Sequence, residues 1–157
     1  MSRNFESKFN NIDALLSEVE QSTDGKKIFA DIDDICSEID TGIERRKADI
    51  ESWPKEQKRK EAVDSEDTFV LNLLSMDEDF NIRTLSACNP NIPNNSLKRL
   101  AESANDYIKM VIANNLNVAH DILDRLAEVT DEQEVLDAVM SNPNVSKVTK
   151  YKIENKM

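Results

Sequence analysis

Two rhythms of apolar residues divide the chain. Phe5, Phe9, Ile12, Leu16 and Val19 are spaced by 4, 3, 4 and 3, and Ile28, Ile32, Ile35 and Ile39 resume that spacing after Ser22-Thr23-Asp24-Gly25. A repeat averaging about 3.5 residues is the seam of helices packed side by side. The spacing therefore predicts two antiparallel helices, a coiled-coil-like helical hairpin over residues 1–53. Ile43 and Ile50 extend its second stripe beyond Gly42. Ser52-Trp53-Pro54 then ends it, because the residue before a proline is pushed out of the α region. Residues 54–67 are densely charged and read either as a linker or as a helix opening at Pro54.

From residue 68 onward the rhythm becomes a repeat. Ile82-Arg83-Thr84-Leu85-Ser86-Ala87-Cys88-Asn89-Pro90-Asn91-Ile92 aligns with the stretch from Ile108 to Val118 at an offset of 26, and with Val135 to Val145 at a further 27. Leu97 and Leu100 likewise fall on Leu123 and Leu126, and stepping back reaches Leu71 and Leu74, a half-unit before the first full one. Ile82, Leu85 and Ser86, like Ile108, Val111 and Ile112, share one helical face. Asn89, Asn115 and Asn142 follow, and the expectation is that asparagine supplies a left-handed residue to close the helix, with Pro90 and Pro143 unable to continue it. Pro93 reads as the first residue of the next helix. A two-helix unit of this size cannot bury its own apolar face, so units must stack. The predicted fold is all-α: the hairpin, then a short alpha-solenoid of about three two-helix repeats over residues 68–157, with Leu100, Ile108, Val111 and Leu126 in its core.

Ile82-Arg83, Ala87, Asn89-Pro90-Asn91, Pro93 and Leu97 with Leu100-Ala101 recur as Ile108-Lys109, Ala113, Asn115, Asn117, Leu123 and Leu126-Ala127, and again as Val135 and Asn142-Pro143-Asn144. This order of residue types resembles the leucine-rich repeat variant family of HEAT-like alpha-solenoids, over residues 66–153. Leu116 replaces the corner proline in the middle copy, and Ile92 stands where the family often has threonine. The resemblance implies a recognition scaffold and no chemistry, since such families are defined by shape. The cysteine clusters that hold an iron–sulfur centre in some members are absent.

Composition narrows the function classes. The 157 residues include 2 glycines, 1 histidine and 2 cysteines, so neither a Gly-rich phosphate loop nor a zinc-ligand pattern is present. No enzymatic activity, cofactor or metal is expected. A net charge of −11 disfavours nucleic acid and anionic membranes. With no membrane-length apolar run and no signal-peptide core at Met1-Ser2-Arg3-Asn4-Phe5, the expected location is cytoplasmic, or within a particle assembled there.

The candidate site residues are surface features. Arg99, Arg125 and Lys152 occupy one repeat position and predict a basic column, with Glu102 and Glu128 as intrahelical partners of the two arginines. Phe29, Ile43, Ile50 and Trp53, joined by Phe69 and Leu73, are left over after hairpin and repeats bury their seams, and so predict an association surface, covered either by the hairpin folding back to cap the repeats or by a second chain. Cys88 reads as a small buried filler, His120 as a residue opening a helix, and Lys58-Arg59-Lys60 as a solvated stretch. The leading reading is a protein–protein interaction module or adaptor whose basic column meets an acidic segment of a protein partner. The alternatives are a structural subunit of a large assembly such as a virion, including a homo-oligomer, and a weak nucleic-acid binder.

Overall fold

Ser22 sets the start of the first helix. Its Oγ accepts the backbone N–H of Gly25 at 2.8 Å, and the helix then runs unbroken as α1, Thr23–Glu51. Gly42 sits inside it without interrupting it. The computed structural model describes residues 22–102 and 105–155, so Phe5 to Val19, the first arm of the expected hairpin, lie outside the described residues. Contacts divide the chain into two compact units, residues 1–49 and residues 50–157.

The second unit holds eight further helices, and the described residues contain no strand. They are α2 (Lys55–Asp64), α3 (Thr68–Leu74), α4 (Phe80–Cys88), α5 (Asn94–Ala101), α6 (Asp106–Asn114), α7 (His120–Val129), α8 (Gln133–Ser141) and α9 (Lys147–Glu154). Paired in order, they make four helix–turn–helix units. The charged stretch after Pro54 is thus a helix and the missing first half of the first unit: α2 packs on α4 as α4 packs on α6 and α6 on α8. Its pattern is faint because Ala62 is its one fully covered apolar residue. The first helices form one closely packed layer; the second helices, α5, α7 and α9, touch more sparsely.

The corner asparagines do something other than the sequence suggests. No residue other than glycine has a positive φ among the described residues, and Asn89, Asn115 and Asn142 are extended, with φ near −70° and ψ of 129°, 122° and 130°. Each is buried, and each works through its side chain. The Oδ1 of Asn89 accepts the N–H of Asn91 at 2.8 Å, as Asn115 does from Asn117 and Asn142 from Asn144. The amide then points back into the preceding unit. Asn115 Nδ2 donates to the carbonyls of Ala87 (2.9 Å) and Asn89 (3.2 Å), and Asn142 Nδ2 donates to those of Ala113 (2.7 Å) and Asn115 (3.0 Å). Asn89 Nδ2 reaches Ala62, Val63 and Ser65. Ser65 therefore occupies the corresponding corner of the first unit, where its Oγ accepts the N–H of Asp67. An outer rung repeats the motif, with Asn117 Nδ2 on Pro90 O and Asn144 Nδ2 on Leu116 O and Val118 O.

Around this ladder the apolar core fills as expected. Leu97, Leu100, Ile108, Ile112, Leu123, Leu126 and Ile153 are each at most 5% exposed, while Val111 is only half-buried at the edge. Pro93 is the residue before α5 rather than its first, with ψ of 139°. A second cluster gathers Ile50, Ala62, Val70, Leu74 and Ile82, with Trp53, Phe69 and Leu73 packed against it. Lys58-Arg59-Lys60 is not simply solvated. Lys58 Nζ lies 2.9 Å from Asp77, with both side chains largely covered, and Asp79 faces Lys55 at 3.4 Å and Arg59 at 3.9 Å. These pairs fasten α2 to the corner before α4.

Asn115→Ala should lower stability by about 3 kcal/mol, because two carbonyls in a buried corner lose a donor, whereas Asn117→Ala at the exposed rung should cost less than about 1 kcal/mol; urea unfolding of both variants checks the order. Asp79 is the N-cap of α4, and the N–H of Asn81 does most to hold its carboxyl below the usual 3.8; burial opposes it, and Lys55 and then Arg59 add to the lowering. A depressed native pKa stabilises the fold above the unfolded-state pKa, and that stabilisation is lost as pH falls through the native value. The stability gap between the natural chain and Asp79→Asn, which keeps a capping side chain, should be constant above about pH 5 and shrink below about pH 4.

Candidate functional site

Second helices that touch sparsely leave grooves between them. One, of about 370 Å³, lies between α5 and α7; the next, of about 460 Å³, lies between α7 and α9. They are successive copies of one feature: Lys98, Ala101 and Glu102 line the first where Asp124, Ala127 and Glu128 line the second. Ala127 and Ile153 give the second groove an apolar floor beside Tyr151, which is 67% exposed.

Of the expected basic column, Arg125 lines the first groove and Lys152 the second while Arg99 lines neither, and all three are engaged within the array. Arg99 does not turn to Glu102. Its guanidinium reaches into the preceding unit, donating to Ser75 Oγ at 2.8 Å and Asn72 Oδ1 at 3.1 Å, and Ser96 Oγ donates to the same Asn72 oxygen at 2.9 Å. Arg125 lies 3.7 Å from Glu128 in its own helix, as the spacing predicts, and Lys152 lies 3.6 Å from the same glutamate across the groove. Arg125 and Lys152 thus share one acid. The lining of the first groove has four acids, Glu102, Asp121, Asp124 and Glu128, against two bases, Lys98 and Arg125. Its field is negative despite the column. Cross-unit partners such as Asn72 are neutral and about one repeat away in sequence, so no charge pattern announces them.

The four residues expected as an association surface separate. Phe29 and Ile43 are 37% and 44% exposed on α1, in the first unit. Ile50 is 2% exposed and Trp53 half-buried in the second cluster, where they cover Phe69 and Leu73 instead of awaiting a partner. The apolar excess of the first unit of the array is what draws them in.

The remaining candidates, Cys88 and His120, both lie at the surface. Cys88 is exposed rather than buried, and desolvation of its thiol raises its pKa, which works against a reactive thiolate. His120 opens α7, exposed, with Nδ1 3.8 Å from Asp124. Asp124 is tied to Thr149 and Ser146 hydroxyls of the next unit. Among the described residues, no three His, Cys, Asp or Glu converge as metal ligands, and no helix is long and apolar enough to cross a membrane. No protein-family model, curated protein or solved structure matches this chain.

The cross-unit role of Arg99 yields a contrast that charge alone does not predict. Arg99→Glu should lower the thermal midpoint, by an amount equivalent to about 1–2 kcal/mol, since it removes donors to Asn72 and Ser75. Lys98→Glu, one residue away and exposed, should leave it within about 0.5 kcal/mol. Scanning calorimetry of the two variants checks this.

Proposed function

We propose that this chain is a non-enzymatic protein-interaction module in which the four-unit array is a stiff scaffold and the grooves between its second helices receive a segment of a partner protein. The observation that carries this reading is the recurrence of the groove at the repeat spacing, with equivalent residues lining each copy. A recurring groove lets a long ligand gain contacts unit by unit, which is how solenoids bind extended partners. An apolar floor between Ala127 and Ile153, rimmed by Asp124, Glu128 and Lys152, suits a short segment with one or two apolar anchors and charged flanks.

The acid-rich lining favours a basic segment over the acidic one that the column by itself suggests. Arg99 is occupied by Asn72 and Ser75, and Lys152 and Arg125 by Glu128, so the carboxylates of Glu102 and Asp121 contribute more of the open charge. The same field opposes a nucleic-acid backbone.

A photo-crosslinking residue placed at Lys98 or Tyr151 in the native source, with Asn81 as an exposed control on a first helix, tests the reading. Adducts from the two groove positions, mapped to a net-basic peptide of one partner and lost on Glu128→Lys, are expected. Adducts confined to Asn81, or groove adducts indifferent to Glu128→Lys, would move the binding face elsewhere.

A further inference from the structure

The two grooves share a backbone plan and differ in chemistry. Carried forward by one repeat, Asp121 and Asp124 of α7 become Val148 and Tyr151 of α9. The wall that presents two carboxylates to the first groove therefore presents an aromatic ring to the second, with Val148 on the same helix 64% exposed.

The acids of the first groove are not equally engaged. Glu128 pairs with Arg125 and Lys152, and Asp124 accepts from the hydroxyls of Ser146 and Thr149. Glu102, at the end of α5, and Asp121, in the first turn of α7, are exposed on opposite walls and form no ion pair among the described residues. Of the bases in this lining, Arg125 is held by Glu128, which leaves Lys98 against two open carboxylates. A cation entering here gains an acid from either side. The second groove, floored by Ala127 and Ile153 beside the ring of Tyr151, suits an apolar side chain instead.

The repeat also sets the distance between the two. Packed helices lie about 8–10 Å apart, so successive grooves recur at about that interval. A polyproline II chain advances about 3.1 Å per residue with about three residues per turn, which puts residues i and i+3 on one side about 9.3 Å apart. A β-strand places same-side residues at about 7 or 13 Å and calls for backbone partners, which the flanks of helices do not offer. Polyproline II keeps its own backbone solvated and needs none.

Resting on the function proposed above, we propose that the partner segment binds as an extended polyproline II stretch whose lysine or arginine enters the groove between α5 and α7 while an apolar side chain three residues away enters the groove between α7 and α9. The juxtaposition of an acid-lined and an apolar copy of one groove selects this pair.

A display library of random dodecapeptides, selected on the immobilised full chain, tests the pairing. Among peptides whose binding is lost on Glu128→Lys, Lys or Arg should stand three residues from Leu, Ile, Met, Phe or Tyr at least tenfold more often than at separations of two or four. Glu102→Lys combined with Asp121→Lys should abolish the basic preference and keep the apolar one. Tyr151→Asp, which copies Asp124 of the preceding unit, should turn the apolar preference into a basic one. All three side chains are exposed, so these variants should keep the thermal midpoint of the natural chain. Groove-dependent peptides with the pair seven residues apart, as a helical ligand would have it, or at no fixed separation, overturn this inference and leave the interaction function standing. Failure to select any peptide whose binding responds to Glu128→Lys, Tyr151→Asp or the double variant defeats both.

Discussion

A primary amide is the smallest side chain that can accept from a backbone N–H two residues ahead and still donate twice to another segment. That constraint sets the geometry of the array. At Asn89, Asn115 and Asn142 the Oδ1 fixes the local turn while the Nδ2 spans two or three carbonyls of the unit before, so turning the chain and setting the distance to the neighbouring unit are one act. An aspartate would present no donor and a serine no reach. Because the corner is buried, the donated bonds also satisfy groups that would otherwise sit without water, and the cost of breaking them exceeds the gain of making them.

Once the corner is fixed in this way, much else is free to vary. Pro90 and Pro143 flank two of the corners, yet Leu116 stands in the third at 69% exposure with the same backbone and the same bonds. Spacing between corners changes from 26 to 27 residues without disturbing the ladder, because the extra residue is absorbed away from the corner. The opposite ends of the units use cheaper versions of the same turn. Thr130 Oγ1 accepts the N–H of Glu132, and Asp77 Oδ1 that of Asp79, while the other carboxylate oxygen of Asp77 takes Lys58 of α2 in place of an amide bridge. The tight layer of first helices and the looser second helices accompany this difference: the asparagine corners bind each unit to the one before through the backbone, whereas the second helices are joined by side-chain contacts such as Arg99 with Asn72 and Lys152 with Glu128. The grooves are the open side of that asymmetry.

The legible part of the fold was the part written in apolar spacing. The period, the helix faces around Ile108 and Leu126, and the breaks at Ser22 and Pro54 all depend on residues close in sequence, which is where pattern carries information. Lys55–Asp64 was ambiguous because a helix docked mainly by Ala62 and by ion pairs looks like a charged linker. Asparagine at a helix end is plain in the sequence, but its usual association with left-handed backbone gives no sign of a side-chain bridge to carbonyls 26 to 29 residues away. The candidate site was less legible for the same reason. The phase shared by Arg99, Arg125 and Lys152 was visible, whereas what each side chain touches depends on the neighbouring unit: Asn72 and Ser75 for Arg99, Glu128 for Lys152.

The first corner explains why the ladder begins where it does. Ser65 keeps the turn, accepting from Asp67, and offers its carbonyl to Asn89, but its hydroxyl cannot bridge to anything before it. An asparagine at that position would bring a buried amide with no preceding corner to receive it. Serine there, with Ile50 and Trp53 covering Val70, Leu74 and their neighbours, closes the near end of the stack by removing the donor and supplying apolar cover. Polar bridging and apolar burial are therefore used at different places, the first to space identical units and the second to end the series, and an array ended in this way has no free corner at that face through which further units would add.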